Sequence, residues 1–292
     1  MDEELVSLLF STKAFKVADS ENPFWYTSGK LGPYFINVDY LYGSQLESEE
    51  LLLTIDKLLE NSDKEQLPCE LYEILWKHYE NNNIFRTTIN KLVKYIQDNF
   101  DVSIIDYISG GERRDWYFSI LVANLLGKPH ITIYKDLTTV VSTCDFEEAT
   151  TVEKLPGNRI FHLADILNTG SSFERAWVPA INNLGSKINW ALFVVDRNQM
   201  GNEIMSDLGV QSYSLLSLNE DLLNIAVKNG IITEEQKESL KKYMIDPDGT
   251  MREFIRTHPN FIDDTIKFGS EKSSKRAKLC KDKNWYGDTI GS

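Results

Sequence analysis

Cysteine is scarce. The 292-residue chain holds three, Cys69, Cys144 and Cys280, odd in number and far apart. That excludes a disulfide framework, and no CxxC metal pair is present, so the chain is expected in a reducing cytoplasm. Positive charge is in deficit as well. A net charge of -13 argues against general binding to nucleic acid or an anionic membrane. A small anionic ligand is still compatible, because local charge in a site can oppose the global sign. No apolar run is long enough to span a bilayer, and Met1-Asp-Glu-Glu lacks the features of a signal peptide. There is no internal repeat. What the chain does have is core-forming material. Hydrophobic residues make up 42% and aromatics 11%, enough for one large α/β domain or one domain with additions.

The most informative stretch is Arg159-Ile-Phe-His-Leu-Ala-Asp165-Ile-Leu-Asn168-Thr-Gly170-Ser-Ser172. A short apolar run passes into a polar, glycine-containing loop. A helical pattern of Phe173, Ala176, Trp177, Ala180, Ile181 and Leu184 follows. The spacing predicts a buried strand, a tight loop and a helix. Hydroxyls and backbone N–H groups at a helix start form an anion site. Asp165, at the strand's carboxyl end, can accept hydrogen bonds from sugar hydroxyls or lie near a metal.

The rest of the chain supplies a frame for that loop. Residues 3–18 read as an amphipathic helix, and 24–39 as two strands joined by the Ser-Gly-Lys-Leu-Gly-Pro turn. Three charged helices are expected across 45–100, with a break at Asn81-Asn-Asn83. That is more than one crossover between neighbouring strands requires, so 45–83 is expected to be an inserted helical subdomain. Buried strands are predicted at 102–109, 131–134 and 188–195, with another strand at 210–216. Residues 136–158 lack helical periodicity and read as an arm of two strands that could act as a lid. Asp246-Pro-Asp-Gly249 reads as a turn, and the basic run from about Gly269 as a solvated, partly mobile tail, with docking on an acidic body as the alternative. The expected organisation is a hood segment at 1–44, the insertion at 45–83, an α/β core at 84–245 and an extension at 246–292.

Alternating strands and helices indicate an α/β domain with a mainly parallel sheet, whose ligand crevice lies outside the carboxyl ends of the strands. Arg113, Arg114, Lys135, Asp165, the Asn168–Ser172 loop and Arg197 should meet there. Cations beside a phosphate loop suit a polyanion such as a pyrophosphate. Plainer roles exist too: Arg113 and Arg114 can pair with Glu112 and Asp115, and Asp196 with Arg197.

Together these segments resemble the type I phosphoribosyltransferases, and within them the orotate phosphoribosyltransferases. His162–Ser172 is similar to their motif for phosphoribosyl pyrophosphate (PRPP). Thr27-Ser-Gly-Lys-Leu-Gly-Pro-Tyr-Phe-Ile-Asn37 and Val195-Asp-Arg-Asn-Gln-Met-Gly201 are similar to two further family segments. Gly110-Gly-Glu-Arg-Arg-Asp115 occupies the place of the pyrophosphate loop. The resemblance implies a type I fold with a small hood, acting in pyrimidine nucleotide synthesis, cytoplasmic and homodimeric. It implies transfer of ribose 5-phosphate from PRPP to a nucleobase such as orotate, giving a nucleoside monophosphate and pyrophosphate. Asp165 would accept from the ribose hydroxyls. Asn168, Thr169, Gly170, Ser171 and Ser172 would hold the 5′-phosphate. Gly111, Glu112, Arg113 and Lys135 would serve the pyrophosphate side, with Asp165 and Lys135 as the catalytic pair. Lys30, Phe35, Ile36 and Arg197 would border the base. Mg²⁺ would be held by PRPP and waters, without direct protein ligation.

The chain also departs from the family pattern. Ala164 stands where the first of two motif acids is usual, Thr27 replaces a Lys, and Tyr134 replaces an Arg. The lid's Lys-Asp-His-Gly run is absent from 135–148. Each lost charge-assisted bond to a leaving pyrophosphate removes about 1.5–3 kcal/mol of stabilisation. The alternative these departures raise is a PRPP- or nucleotide-binding regulatory homologue with impaired catalysis.

Overall fold

In the computed structural model, residues 2–287 are described. Helix α1 (Glu3–Ser11) is capped by Asp2, whose carboxylate accepts from Leu5 N–H at 3.0 Å. It is shorter than the predicted 3–18, because the backbone turns at Lys13 (φ +60°) into an extended segment. Four short strands follow: β1 (Phe15–Val17), β2 (Phe24–Trp25), β3 (Leu31–Gly32) and β4 (Tyr34–Ile36). A 3₁₀ turn at Val38–Tyr42 leads to helices α2 (Gln45–Asn61), α3 (Leu67–Asn81) and α4 (Asn83–Asn99). Asn82 ends one helix through its N–H, which donates to the His78 carbonyl, and starts the next through its side chain, which accepts from Ile84 and Phe85 N–H.

Strand β5 (Tyr107–Gly111) begins later than the predicted 102. Asp101 accepts from Ser103 N–H at 2.9 Å and holds Val102–Ile104 in a 3₁₀ turn instead. Helix α5 (Trp116–Leu125), strands β6 (His130–Ile133), β7 (Thr139–Ser142), β8 (Ala149–Thr151) and β9 (Arg159–Leu167) come next. A π-helical turn at Phe173–Trp177 runs into α6 (Val178–Asn183). Then follow β10 (Lys187–Asp196), α7 (Gly201–Asp207), β11 (Gln211–Ser217), α8 (Glu220–Lys228), α9 (Glu234–Ile245), α10 (Pro247–Thr257), α11 (Phe261–Phe268) and α12 (Glu271–Asp282).

The chain divides into two units. The first comprises the chain up to Ala14 and Asn37–Leu222. Its seven-stranded sheet has the order β11-β10-β9-β5-β6-β7-β8. The four pairings from β11 to β6 are parallel, and the two involving β7 are antiparallel. This is the expected mainly parallel α/β sheet flanked by helices. The core on one face joins Ile160, Phe173, Trp177, Ile181, Ala191 and Phe193. The 136–158 arm is not a free lid. Strand β7 pairs with β6 from Ile133↔Thr139 to His130↔Ser142, and Phe146 stacks on Tyr72 with ring centroids 4.8 Å apart. Its Thr/Val run satisfies its backbone by extending the sheet edge.

The second unit comprises Phe15–Ile36 and the chain from Leu223 onward. Asp246 is a helix cap rather than punctuation: its carboxylate accepts from Gly249 N–H at 2.9 Å, and Pro247 opens α10. The basic segment is likewise folded, contrary to the expected solvated tail. Within α12 Ala277 and Cys280 are buried, and Arg276 donates to the Trp25 carbonyl at 2.6 Å. Leu31 N–H donates to the buried Tyr286 hydroxyl at 2.7 Å. The charges masked an apolar stripe that covers the β2–β3 hairpin. The last five residues of the basic tail lie outside the described residues.

Candidate active site

The carboxyl ends of β5, β6 and β9 open onto one cavity of about 310 Å³. Glu112, Arg113, Arg114 and Asp115 follow β5, Lys135 follows β6, and Ala164 to Phe173 run along the end of β9 and its loop; all line it. Leu52, Trp177 and Phe193 complete the wall. The topology explains the convergence, because parallel strands deliver successive loops to one edge of the sheet.

The loop from Asn168 to Ser172 turns on Gly170, which has φ +71° and would bring a Cβ to 3.1 Å from Ile204. Thr169 to Ser172 precede the π-helical turn, so N–H groups there lie ahead of any intrahelical acceptor. Phe173 and Glu174 N–H both donate to the Gly170 carbonyl, which closes the turn. Arg197, at the end of β10, donates to Asn168 Oδ1 at 3.1 Å and braces the loop from behind.

The loop after β5 is anchored by Asp115, which is buried. Its Oδ2 accepts from Gly111 N–H at 3.2 Å, and its Oδ1 accepts from Asp165 N–H at 3.1 Å. One carboxylate thereby ties the two loops together. Gly111 admits nothing larger, since a Cβ there would lie 2.2 Å from the Trp177 ring. The Glu112–Arg113 peptide is cis. On the buried side His162 Nδ1 shares a hydrogen bond with Ser109 Oγ at 2.8 Å, and Nε2 lies 3.7 Å from Asp115 Oδ2.

The cations of this loop are already engaged. Arg113 pairs with Asp56 of α2, and Arg114 Nε lies 3.3 Å from the buried Asp39 carboxylate. Lys135 Nζ lies 3.3 Å from Glu112, whose other oxygen accepts from Lys135 N–H. Neither Arg113 nor Arg114 pairs with Glu112 or Asp115 among the described residues, and Asp196 accepts from Asn198 and Asn202. The Asp165 carboxyl is pushed well above its ordinary range, first by burial and then by Asp115 and Asp39. Arg114 and the Ile166 N–H pull the other way.

The first unit therefore brings together Asp165, Asn168 to Ser172, Glu112, Arg113 and Lys135, with Gly111 and Arg197 one bond behind. Lys30, Phe35 and Ile36 belong to the second unit. There Lys30 Nζ pairs with Asp248 at 2.8 Å and lies 4.6 Å from the Trp285 ring centroid, while Phe35 packs against Phe24. Sequence reasoning gave no site role to Asp39, Asp56 or Asp115. Their only signal was a carboxylate inside otherwise apolar or basic surroundings, which local pattern does not separate from a solvated charge.

No family model matches the chain. Orotate phosphoribosyltransferase of Sulfurisphaera tokodaii is 28% identical over 174 residues, 59% of this chain and 80% of that protein. Among solved structures, orotate phosphoribosyltransferase of Francisella tularensis aligns with TM-score 0.54 and 12% identity over 82% of this chain and 96% of that one. Leishmania donovani UMP synthase aligns with TM-score 0.55 and 16% identity over 83% of this chain, which spans only 42% of that longer protein. The fold is that of the type I phosphoribosyltransferases, and in sequence the chain is similar to them and, within them, to the orotate phosphoribosyltransferases.

Proposed function

We propose that the protein is a phosphoribosyltransferase that takes PRPP and a nucleobase such as orotate, and releases pyrophosphate. The observation that carries this reading is the joint presence, in one cavity, of a glycine-turned hydroxyl loop, the adjoining Asp165, and the Arg113 and Lys135 side of the β5 and β6 loops. In this reading the Asn168–Ser172 loop holds the 5′-phosphate through N–H and hydroxyl donors. Asp165 accepts from a ribose hydroxyl. A donor added to the Ile166 N–H would favour the ionised form that burial and Asp115 disfavour in the free protein. The C1′–O bond to pyrophosphate breaks as the base nitrogen bonds to C1′, and the base's proton passes to solvent. Arg113 and Lys135 neutralise the leaving charge once the polyanion displaces Asp56 and Glu112 from them.

In this cavity Mg²⁺ would be held by the oxygens of PRPP and by waters, without direct protein ligation. Bound there, the ion would supply further neutralisation of the pyrophosphate. Lys30, Phe35, Ile36 and Arg197 remain the proposed base-side residues.

A second reading, binding of PRPP or a nucleotide without turnover, draws support from the engagement of Arg113, Arg114 and Lys135 by carboxylates. A pyrophosphate-release assay with PRPP, Mg²⁺ and a base panel including orotate separates the two. Base-dependent release supports transfer. PRPP binding by calorimetry without release supports the second reading, and neither binding nor release removes both.

A further inference from the structure

We propose that Asp115 supplies the carboxylate that position 164 lacks, so that Asp115 and Asp165 together recognise the vicinal hydroxyls of a phosphorylated pentose. The inference rests on the phosphoribosyl reading of the cavity and adds a specificity-determining residue to it.

Position 164 itself cannot serve. Ala164 lines the cavity among Phe173, Trp177 and Phe193, and its methyl group offers no acceptor to a sugar hydroxyl. Asp115 reaches the same cavity from another element, the start of α5. Its position is fixed to both loops, by Gly111 N–H on one oxygen and Asp165 N–H on the other. Each carboxylate oxygen has a second acceptor site, so two main-chain bonds leave capacity for a ligand hydroxyl. Asp165 is equally placed, its Oδ1 accepting from Ile166 N–H at 2.6 Å. Arg114 does not satisfy the pair by direct contact, since its guanidinium is held on Asp39.

Two adjacent acids in a buried cavity repel one another, and burial together with the Asp115 charge holds the Asp165 carboxyl high. What relieves such a pair is a ligand with two neighbouring O–H donors and no negative charge at that point. A vicinal diol has that form, and the adjoining loop takes the phosphate of the same molecule. The acids usual on one strand are here divided between two loops. A tie between loops is also what a purely structural Asp115 would provide, so the test must read the hydroxyls themselves.

Calorimetry with ribose 5-phosphate, 2-deoxyribose 5-phosphate, 3-deoxyribose 5-phosphate and inorganic phosphate does so. For the native protein each deoxy sugar should bind about tenfold more weakly than ribose 5-phosphate, one charge-assisted bond being lost in each case. In Asp115→Asn, discrimination against one of the two deoxy sugars should fall to within about twofold while the other persists. Equal weakening of all four ligands by Asp115→Asn would mark a structural strut and overturn the proposal. If that variant does not fold, the native series decides. Loss with both deoxy sugars supports the pair, and loss with only one overturns it. Absence of binding to any sugar phosphate or to PRPP would instead remove the phosphoribosyl reading on which the proposal stands.

Discussion

The two halves of the cavity wall differ in how much of their chemistry is already engaged. The Asn168–Ser172 loop is built and braced, turned on Gly170 and held by Arg197. The loop after β5 is equally well placed, but its arginines meet Asp56 and Asp39, and Lys135 of the next loop meets Glu112. Asp56 comes from α2 and Asp39 from the turn before it, so the segment ahead of the sheet supplies the counter-charge. On the proposed reading, one half would receive a phosphate without rearrangement, whereas the other would have to exchange protein carboxylates for ligand oxygens. Affinity for a monophosphate should therefore depend on the first half, and any extra affinity for a pyrophosphate on how readily the second half lets go.

The strongest way to break the contrast is at Gly170. A valine there meets both a left-handed backbone and the Ile204 side chain 3.1 Å from its Cβ. A β-branched residue at positive φ costs about 1–3 kcal/mol. The expected outcome for Gly170→Val is a lowered melting temperature and at least about tenfold weaker binding of ribose 5-phosphate by calorimetry, since several N–H donors shift together. Unchanged affinity would mean that the loop is not the phosphate seat.

Asp165 stands at the boundary between the halves, and its effect is next in size. Its carboxyl is raised in the folded protein above the ordinary value of 3.8. The native state then binds more protons than the unfolded chain over the interval between the two values. Stability from this group is complete below 3.8, and is lost as pH rises through the raised value. Asp165→Asn removes that loss. The ligand-free variant should melt higher than the native protein at neutral pH, by about 2–4 °C per kcal/mol for a unit of this size. The gap should close as pH falls towards 3.8. Parallel melting curves across the whole range would show that Asp165 is not strained by its neighbours.

How far all this was legible in the chain follows the same division. Strand β9 and its loop are local objects: an apolar run, a polar turn and a periodic stripe stand next to each other in sequence, and the fold keeps them so. The parallel strands were legible for the same reason, apart from the start of β5, where one Asx turn at Asp101 outweighed the apolar run of Val102 to Ile105. The cation loop's state was not legible. Arg113 and Asp56 are 57 positions apart, and nothing local distinguishes that pairing from one with the adjacent Glu112 or Asp115. The same holds for α12, where the lysines hide the spacing that buries Ala277 and Cys280. Pattern reading finds what neighbours in sequence decide. Charges whose partners arrive from other elements must be seen folded.

The smallest expected effects lie on the engaged half, and they test the contrast from its other side. The Arg113–Asp56 pair is partly exposed on both sides, and pairs of that kind are worth about 0–1 kcal/mol. Asp56→Asn should therefore leave the melting temperature nearly unchanged while releasing Arg113. If Arg113 is in reserve for a polyanion, pyrophosphate should bind about two- to fivefold more tightly to the variant, because the ligand no longer has to displace a carboxylate. Inorganic phosphate, seated on the other half, should gain less. Calorimetry at two salt concentrations makes the comparison sharper, since the gain is electrostatic and should shrink as salt screens it. A gain of equal size for both ligands would mean that the two halves act as one field, and that the division between a ready half and an engaged half does not govern binding.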